Sequence, residues 1–168
     1  MSVKPVATRS RDRIVPDRAL LAQILAGLRS QGKVVVFTNG CFDLLHVGHV
    51  RALEDARGRG DFLVVGLNSD RSLKEIKGRT ALVPQEERAE LVAALRAVDY
   101  VTFFDEPTAD AILEQLRPDI LAKGQDYTEK TVPERATAKA VGARILIVGD
   151  KKAHSTTELI KKIRRRKA

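Results

Sequence analysis

The strongest constraint on this chain is an alternation of short, continuous apolar runs with segments of helical periodicity. The runs are Val34-Val-Val-Phe37, Phe62-Leu-Val-Val-Gly-Leu67, Val98-Asp-Tyr-Val-Thr-Phe103, Ile120-Leu-Ala122 and Arg144-Ile-Leu-Ile-Val148. A run without polar alternation suits a strand covered on both faces, as in a parallel sheet. Helical patterns fall between the runs at about 47–59, 85–96, 108–116 and 133–141, and 155–166 closes the chain. Another helix precedes the first run. Asp17 stands at its start as a cap, Leu20, Leu21, Ile24, Leu25 and Leu28 follow helical spacing, and Gly32 lies near its stop. Parallel neighbours need a crossover, and a helix supplies it. The pattern therefore predicts a three-layer α/β fold, Rossmann-like and doubly wound, around a central, mainly parallel five-stranded sheet.

The chain of 168 residues is long enough for one real core, and no repeat or low-complexity linker divides it. The expected organisation is a single domain over 14–163. It is flanked by a basic N-terminal segment, 1–13, expected to fray, and a basic C-terminal tail, 164–168. The net charge of +8 sits on the ends: residues 161–167 hold six positive charges and no acid, and residues 1–13 hold a net +3. Those ends carry nine charges net, so residues 14–160 carry −1 and the core is nearly neutral. A basic run of this kind reads as a solvated helix end, and aromatics at 4% leave little to stack on bases. Neither nucleic acid nor a membrane is an expected partner. The apolar run 62–67 is far shorter than the roughly 18 residues a membrane span needs. With no signal-like start and a single cysteine, Cys41, the expectation is a cytoplasmic protein without disulfides.

In open parallel sheets, ligands bind beyond the carboxyl ends of the strands, where the strand order reverses. The loops after residues 37, 67, 103, 122 and 148 are therefore the ones to read. They contain no Gly-x-x-x-x-Gly-Lys-Ser/Thr, no Gly-x-Gly-x-x-Gly after a strand and no Gly-x-Ser-x-Gly, which excludes three familiar sites. The first loop instead reads Thr38-Asn-Gly-Cys-Phe-Asp-Leu-Leu-His-Val-Gly-His49. His46 and His49, three apart, share one face of the first helical turn, where free N–H groups and the positive dipole end suit a polyphosphate. Gly40 is expected to allow a tight turn near a ligand, and Gly48 to let phosphate approach the backbone. A metal would need a third ligand, and this loop offers only Asp43 or Cys41, so no protein-held metal is expected. Cys41 reads as a packed thiol. His154 abuts Ser155-Thr156-Thr157, which opens the last helix and can present hydroxyls to phosphate.

Thr38-x-Gly40-x-Phe42-Asp43-x-x-His46-x-Gly48-His49 resembles the HxGH signature of the nucleotidyltransferase superfamily, which includes the cytidylyltransferases and related adenylyltransferases. The resemblance runs on through Gly66-Leu-Asn-Ser-Asp70, Lys77-Gly78, Glu87-Arg88, Val98-Asp-Tyr-Val101, Lys123-Gly-Gln-Asp-Tyr127 and Ser155-Thr-Thr157, over about 30–163. The wording is most similar to the adenylyltransferase half of the bacterial heptose kinase/adenylyltransferases, without the sugar-kinase half. The resemblance implies a stand-alone adenylyltransferase that moves AMP from ATP to D-glycero-β-D-manno-heptose 1-phosphate, releasing pyrophosphate, with Mg²⁺ accompanying the ATP. It implies a nucleotidyltransferase-type sheet and a homodimer. His46, His49 and Lys77 would be catalytic. Thr38, Asn39, Gly40, Phe42, Gly48, Arg88, Lys123, Gly124, Asp126, Ser155 and Thr156 would join the histidines in binding nucleotide, and Asp43 and Lys77 would meet the acceptor. Two other readings stay open: a cytidylyltransferase for glycerol 3-phosphate or another small phosphorylated acceptor, and a nucleotide-binding regulator.

Overall fold

The computed structural model describes residues 9–150 and 156–165. Among them are five strands, β1 (Val35–Gly40), β2 (Phe62–Asn68), β3 (Tyr100–Phe104), β4 (Ile120–Gly124) and β5 (Arg144–Val148). They are joined by α1 (Arg18–Ser30), α2 (Val47–Arg57), α3 (Asp70–Lys77), α4 (Gln85–Ala93), α5 (Asp110–Leu116), α6 (Arg135–Val141) and α7 (Thr156–Arg165). The strands form one sheet, entirely parallel, in the order β3-β2-β1-β4-β5. The apolar runs are strands because both faces of the sheet are covered. One layer packs Leu53, Ala56, Ala89 and Val92 of α2 and α4 on Val36, Leu63, Val65 and Ile120. The opposite layer packs Leu21, Leu25, Ile112, Leu113 and Ala138 of α1, α5 and α6 on Val35, Phe37, Val64 and Leu121.

The sheet order reverses between β1 and β4. From β1 the chain leaves to α2 on one face, and from β4 to α6 on the other, which opens a crevice at the carboxyl edge. The ladder between these strands has only two pairs, Val36↔Ile120 and Phe37↔Leu121, against six between β1 and β2. Beyond Phe37, β1 and β4 therefore part.

Asp17 caps α1 as expected, accepting from the amides of Ala19 and Leu20 at 2.9 and 3.1 Å. Leu21 and Leu25 are buried, whereas Leu20 is exposed. Two elements depart from the sequence reading. Residues 10–13 form a 3-10 turn, and Arg13 donates to the carbonyls of Ala93, the last residue of α4, and of Leu95 and Val98 after it, so the described part of the segment expected to fray is docked. The guanidinium gathers the end of α4 and the turn that follows it. The other departure is α3, which the periodicity missed because it buries only Ser72 and Leu73. Its local signals are Ser69, which accepts from the Ser72 amide, and Gly78 at its end.

Candidate active site

The site is assembled at the N-terminus of α2. His46 is the N-cap residue, in extended backbone conformation, and His49 is the third residue of the helix. The His46 amide donates to Nδ1 of His49 at 3.4 Å, and the His49 amide donates to the His46 carbonyl at 2.9 Å. This reciprocal cap stacks the two imidazoles, with ring centroids 3.8 Å apart and planes 25° from parallel. The amides of Val47 and Gly48 take no backbone carbonyl among the described residues, so the helix end keeps donors for an anion. Burial, reinforced by neighbouring His46, pulls the His49 pKa from 6.5 down to about 4. His49 is therefore neutral near pH 7. With Nδ1 accepting from His46, the proton resides on Nε2, which is the donor it can offer a phosphate oxygen.

Phe42 has a positive φ of 49° and is 8% exposed, and its ring lies 5.1 Å from His49. It serves as the wall that holds the imidazole pair. That changes the account of Gly40: a Cβ there would fall 2.9 Å from the Phe42 ring, so the glycine makes room for phenylalanine rather than for a turn beside a ligand. The Cys41 thiol is pushed up by burial, against the lowering pull of Lys77 and Arg88 nearby, and stays protonated. Lys77, exposed in the last turn of α3, thus lies close enough to the first loop to be felt there. Thr156, the first residue of α7, donates from Oγ1 to the carbonyl of Leu44 at 3.2 Å, bringing a second helix N-terminus against the same loop. The chain reaches it through Gly149, whose φ of +84° and 3.0 Å approach to Ala52 on α2 leave no space for a side chain. Thr38 ends buried on β1, and Gly124 and Asp126 are exposed where β4 ends. Ser155 and His154 lie outside the described residues.

Three charged residues that the sequence reading gave to ligands are committed to the protein instead. Asp43, 4% exposed, accepts from Nη1 of Arg79 at 2.6 Å on one oxygen and from the amides of Leu82 and Val83 at 2.7 and 3.2 Å on the other. Burial pushes its pKa up, but the Arg79 hydrogen bond and the two amides outweigh that and hold it below the usual carboxylate value. Asp43, buried with three donors on it, clasps the 79–83 segment to the first loop. Arg88, 0% exposed, donates to the carbonyls of Val83, Cys41 and Asn68 and to Asp70, so it ties loops together from inside the protein. Lys123, 5% exposed, is held by Glu134 and Asn39. Arg79 and Glu134 were missed by sequence reasoning, since nothing local marks either as the partner of a distant charge.

Asp43→Asn is expected to cost about 2 kcal/mol of stability, because an amide puts N–H groups where Arg79 must be accepted. The sign with pH follows from the lowered pKa: the carboxylate's contribution is present above the unfolded value of 3.8 and is lost as pH falls below it. Acid unfolding of wild type and variant should therefore converge below that pH. Parallel stability curves down to the acid limit would contradict the clasp.

A family model described as cytidylyltransferase-like matches residues 37–165, the span from β1 to α7. The chain belongs to the cytidylyltransferase-like family. This cytidylyltransferase-like chain is 50% identical over 153 residues to the bifunctional protein HldE of Geobacter sulfurreducens, covering 90% of this chain and 31% of that one. It is 48% identical over 147 residues to the bifunctional protein HldE of Syntrophotalea carbinolica, covering 87% and 30%. It therefore spans about a third of the length of these curated relatives. Among solved structures, the lipopolysaccharide core biosynthesis protein from Thermoplasma volcanium is similar at a TM-score of 0.63 and 25% identity, covering 72% of this chain and all of that one. The histidine pair at the open end of α2 lies at the switch-point crevice, the place where open parallel sheets bind ligands. No helix among the described residues is long and apolar enough to cross a membrane.

Proposed function

We propose that this chain transfers AMP from ATP to D-glycero-β-D-manno-heptose 1-phosphate, giving ADP-heptose and pyrophosphate for lipopolysaccharide core biosynthesis. The carrying observation is the stacked His46–His49 pair at an open helix N-terminus, with Thr156 at the start of α7 hydrogen-bonded to the same loop. A helix N-terminus with free amides suits a polyphosphate. The names of the HldE relatives and of the lipopolysaccharide core protein support the choice of sugar pathway.

The reaction asks little covalent chemistry of the protein. An anionic oxygen of the acceptor phosphate forms a bond to the α-phosphorus of ATP while the bond from that phosphorus to the bridging oxygen breaks, and the electron pair leaves with pyrophosphate. The nucleophile is already charged, so no general base is required. The protein contributes alignment and neutralisation of developing charge. His49 Nε2–H, His46 and the amides of Val47 and Gly48 donate to phosphate oxygens, and Lys77 screens the repulsion between the two anions. Mg²⁺ enters with the nucleotide as part of the substrate. A homodimer acting in the cytoplasm, without nucleic-acid or membrane partners, completes the reading.

Purified protein should release pyrophosphate with ATP, Mg²⁺ and the heptose 1-phosphate. Faster turnover with CTP and glycerol 3-phosphate would replace both substrates while leaving nucleotidyl transfer in place. Nucleotide binding without release from any acceptor would favour a regulator.

A further inference from the structure

Where β1 and β4 part, a buried lysine spans the split, with a buried carboxylate beside it. Lys123 on β4 and Glu134, just before α6, approach to 2.9 Å with side chains only 6% and 4% exposed. Glu134 also accepts from the Ala109 amide at 3.2 Å, which anchors it to the start of α5. Lys123 lies 5.5 Å over the Tyr127 ring and donates to Oδ1 of Asn39 on β1 at 2.8 Å. An ammonium can only donate, so it dictates which way the Asn39 amide faces: oxygen toward Lys123, NH2 away from it. No acceptor among the described residues takes that NH2 group, and Asn39 is partly exposed two residues past the last β1–β4 pair. The lysine charge is matched by Glu134, so Lys123 orients a neighbour instead of acting as a phosphate clamp.

We infer that Glu134 is a positioning residue for nucleotidyl transfer. Through Lys123 it holds the Asn39 side-chain amide with its NH2 group aimed into the crevice, as a donor to a polyphosphate oxygen. This rests on the site proposed above but not on the identity of nucleotide or sugar, because every nucleotidyl transfer of this kind produces pyrophosphate.

The test is a double-mutant cycle read by calorimetric titration with magnesium pyrophosphate, using Glu134→Gln, Asn39→Ala and the combination. Each single variant should weaken binding about tenfold or more, the loss typical of one hydrogen bond to a charged group. The combined variant should bind no worse than Asn39→Ala, because both changes remove the same contact. Additive losses would show that Glu134 acts through general structure, and wild-type affinity in Glu134→Gln would show that it does not orient Asn39; either overturns the inference. If Glu134→Gln folds poorly, Lys123→Met with Glu134→Leu removes both buried charges together and should show the same loss at a near-native melting temperature. Unchanged pyrophosphate affinity there also overturns it. Failure of ATP and heptose phosphate as substrates, with the cycle intact, would count against the substrate reading alone.

Discussion

His49→Ala is expected to lower kcat by about 10²-fold or more while the protein stays folded, and His46→Ala to do the same. Each removes a donor to charge that develops as the α-phosphorus is attacked, in a site where the partner imidazole stacks at 3.8 Å. The variants should not be additive, since each ring orients the other through the reciprocal cap. His49 adds a pH signature. Folded His49 takes a proton only near 4, whereas an unfolded histidine takes one near 6.5. Between those values the unfolded chain binds more protons, so native stability falls as pH drops from 6.5 toward 4. His49→Gln should flatten that slope. Either histidine variant turning over at close to the wild-type rate would remove the pair from the mechanism.

Arg88→Met should have the largest effect on stability, about 3–5 kcal/mol, the cost of breaking a buried, charge-assisted network by removing one partner. Methionine fills the volume but leaves the carbonyls of Val83, Cys41 and Asn68 without the donor that reached them at 2.9, 2.5 and 3.0 Å. At roughly 2–4 °C per kcal/mol for a chain of this size, the melting temperature should fall by about 10 °C. Activity measured well below the new midpoint should fall less steeply than in the histidine variants, because Arg88 is fully buried and holds the Cys41 and Asn68 loops. An unchanged melting temperature with abolished pyrophosphate release would return Arg88 to the phosphates.

Much of the fold was legible because it is written in local terms. Val34–Phe37 and Phe62–Leu67 read as strands buried on both faces, and the sheet covers both. The Asp17 cap and the helical spacing of Leu21 and Leu25 needed no distant partner. The helix at Asp70–Lys77 escaped because its amphipathic signal is carried by one buried leucine, and its cap at Ser69 is a weaker cue than periodicity.

The sequence by itself determined the alternation that makes a doubly wound sheet, the loop that ends β1, and the three-residue spacing that puts His46 and His49 on one helical turn. These are consequences of backbone geometry within a few residues. Only the tertiary structure decided which charges are free to meet a ligand. Arg79 finds Asp43 across 36 residues, Arg88 finds the Cys41 carbonyl across 47, and Lys123 finds Asn39 across 84. A buried charge must be matched by whatever the fold brings beside it. Asp43, Arg88 and Lys123, which look like ligand contacts when read along the chain, are therefore held by partners within the protein, while Lys77 stays exposed and His49 neutral.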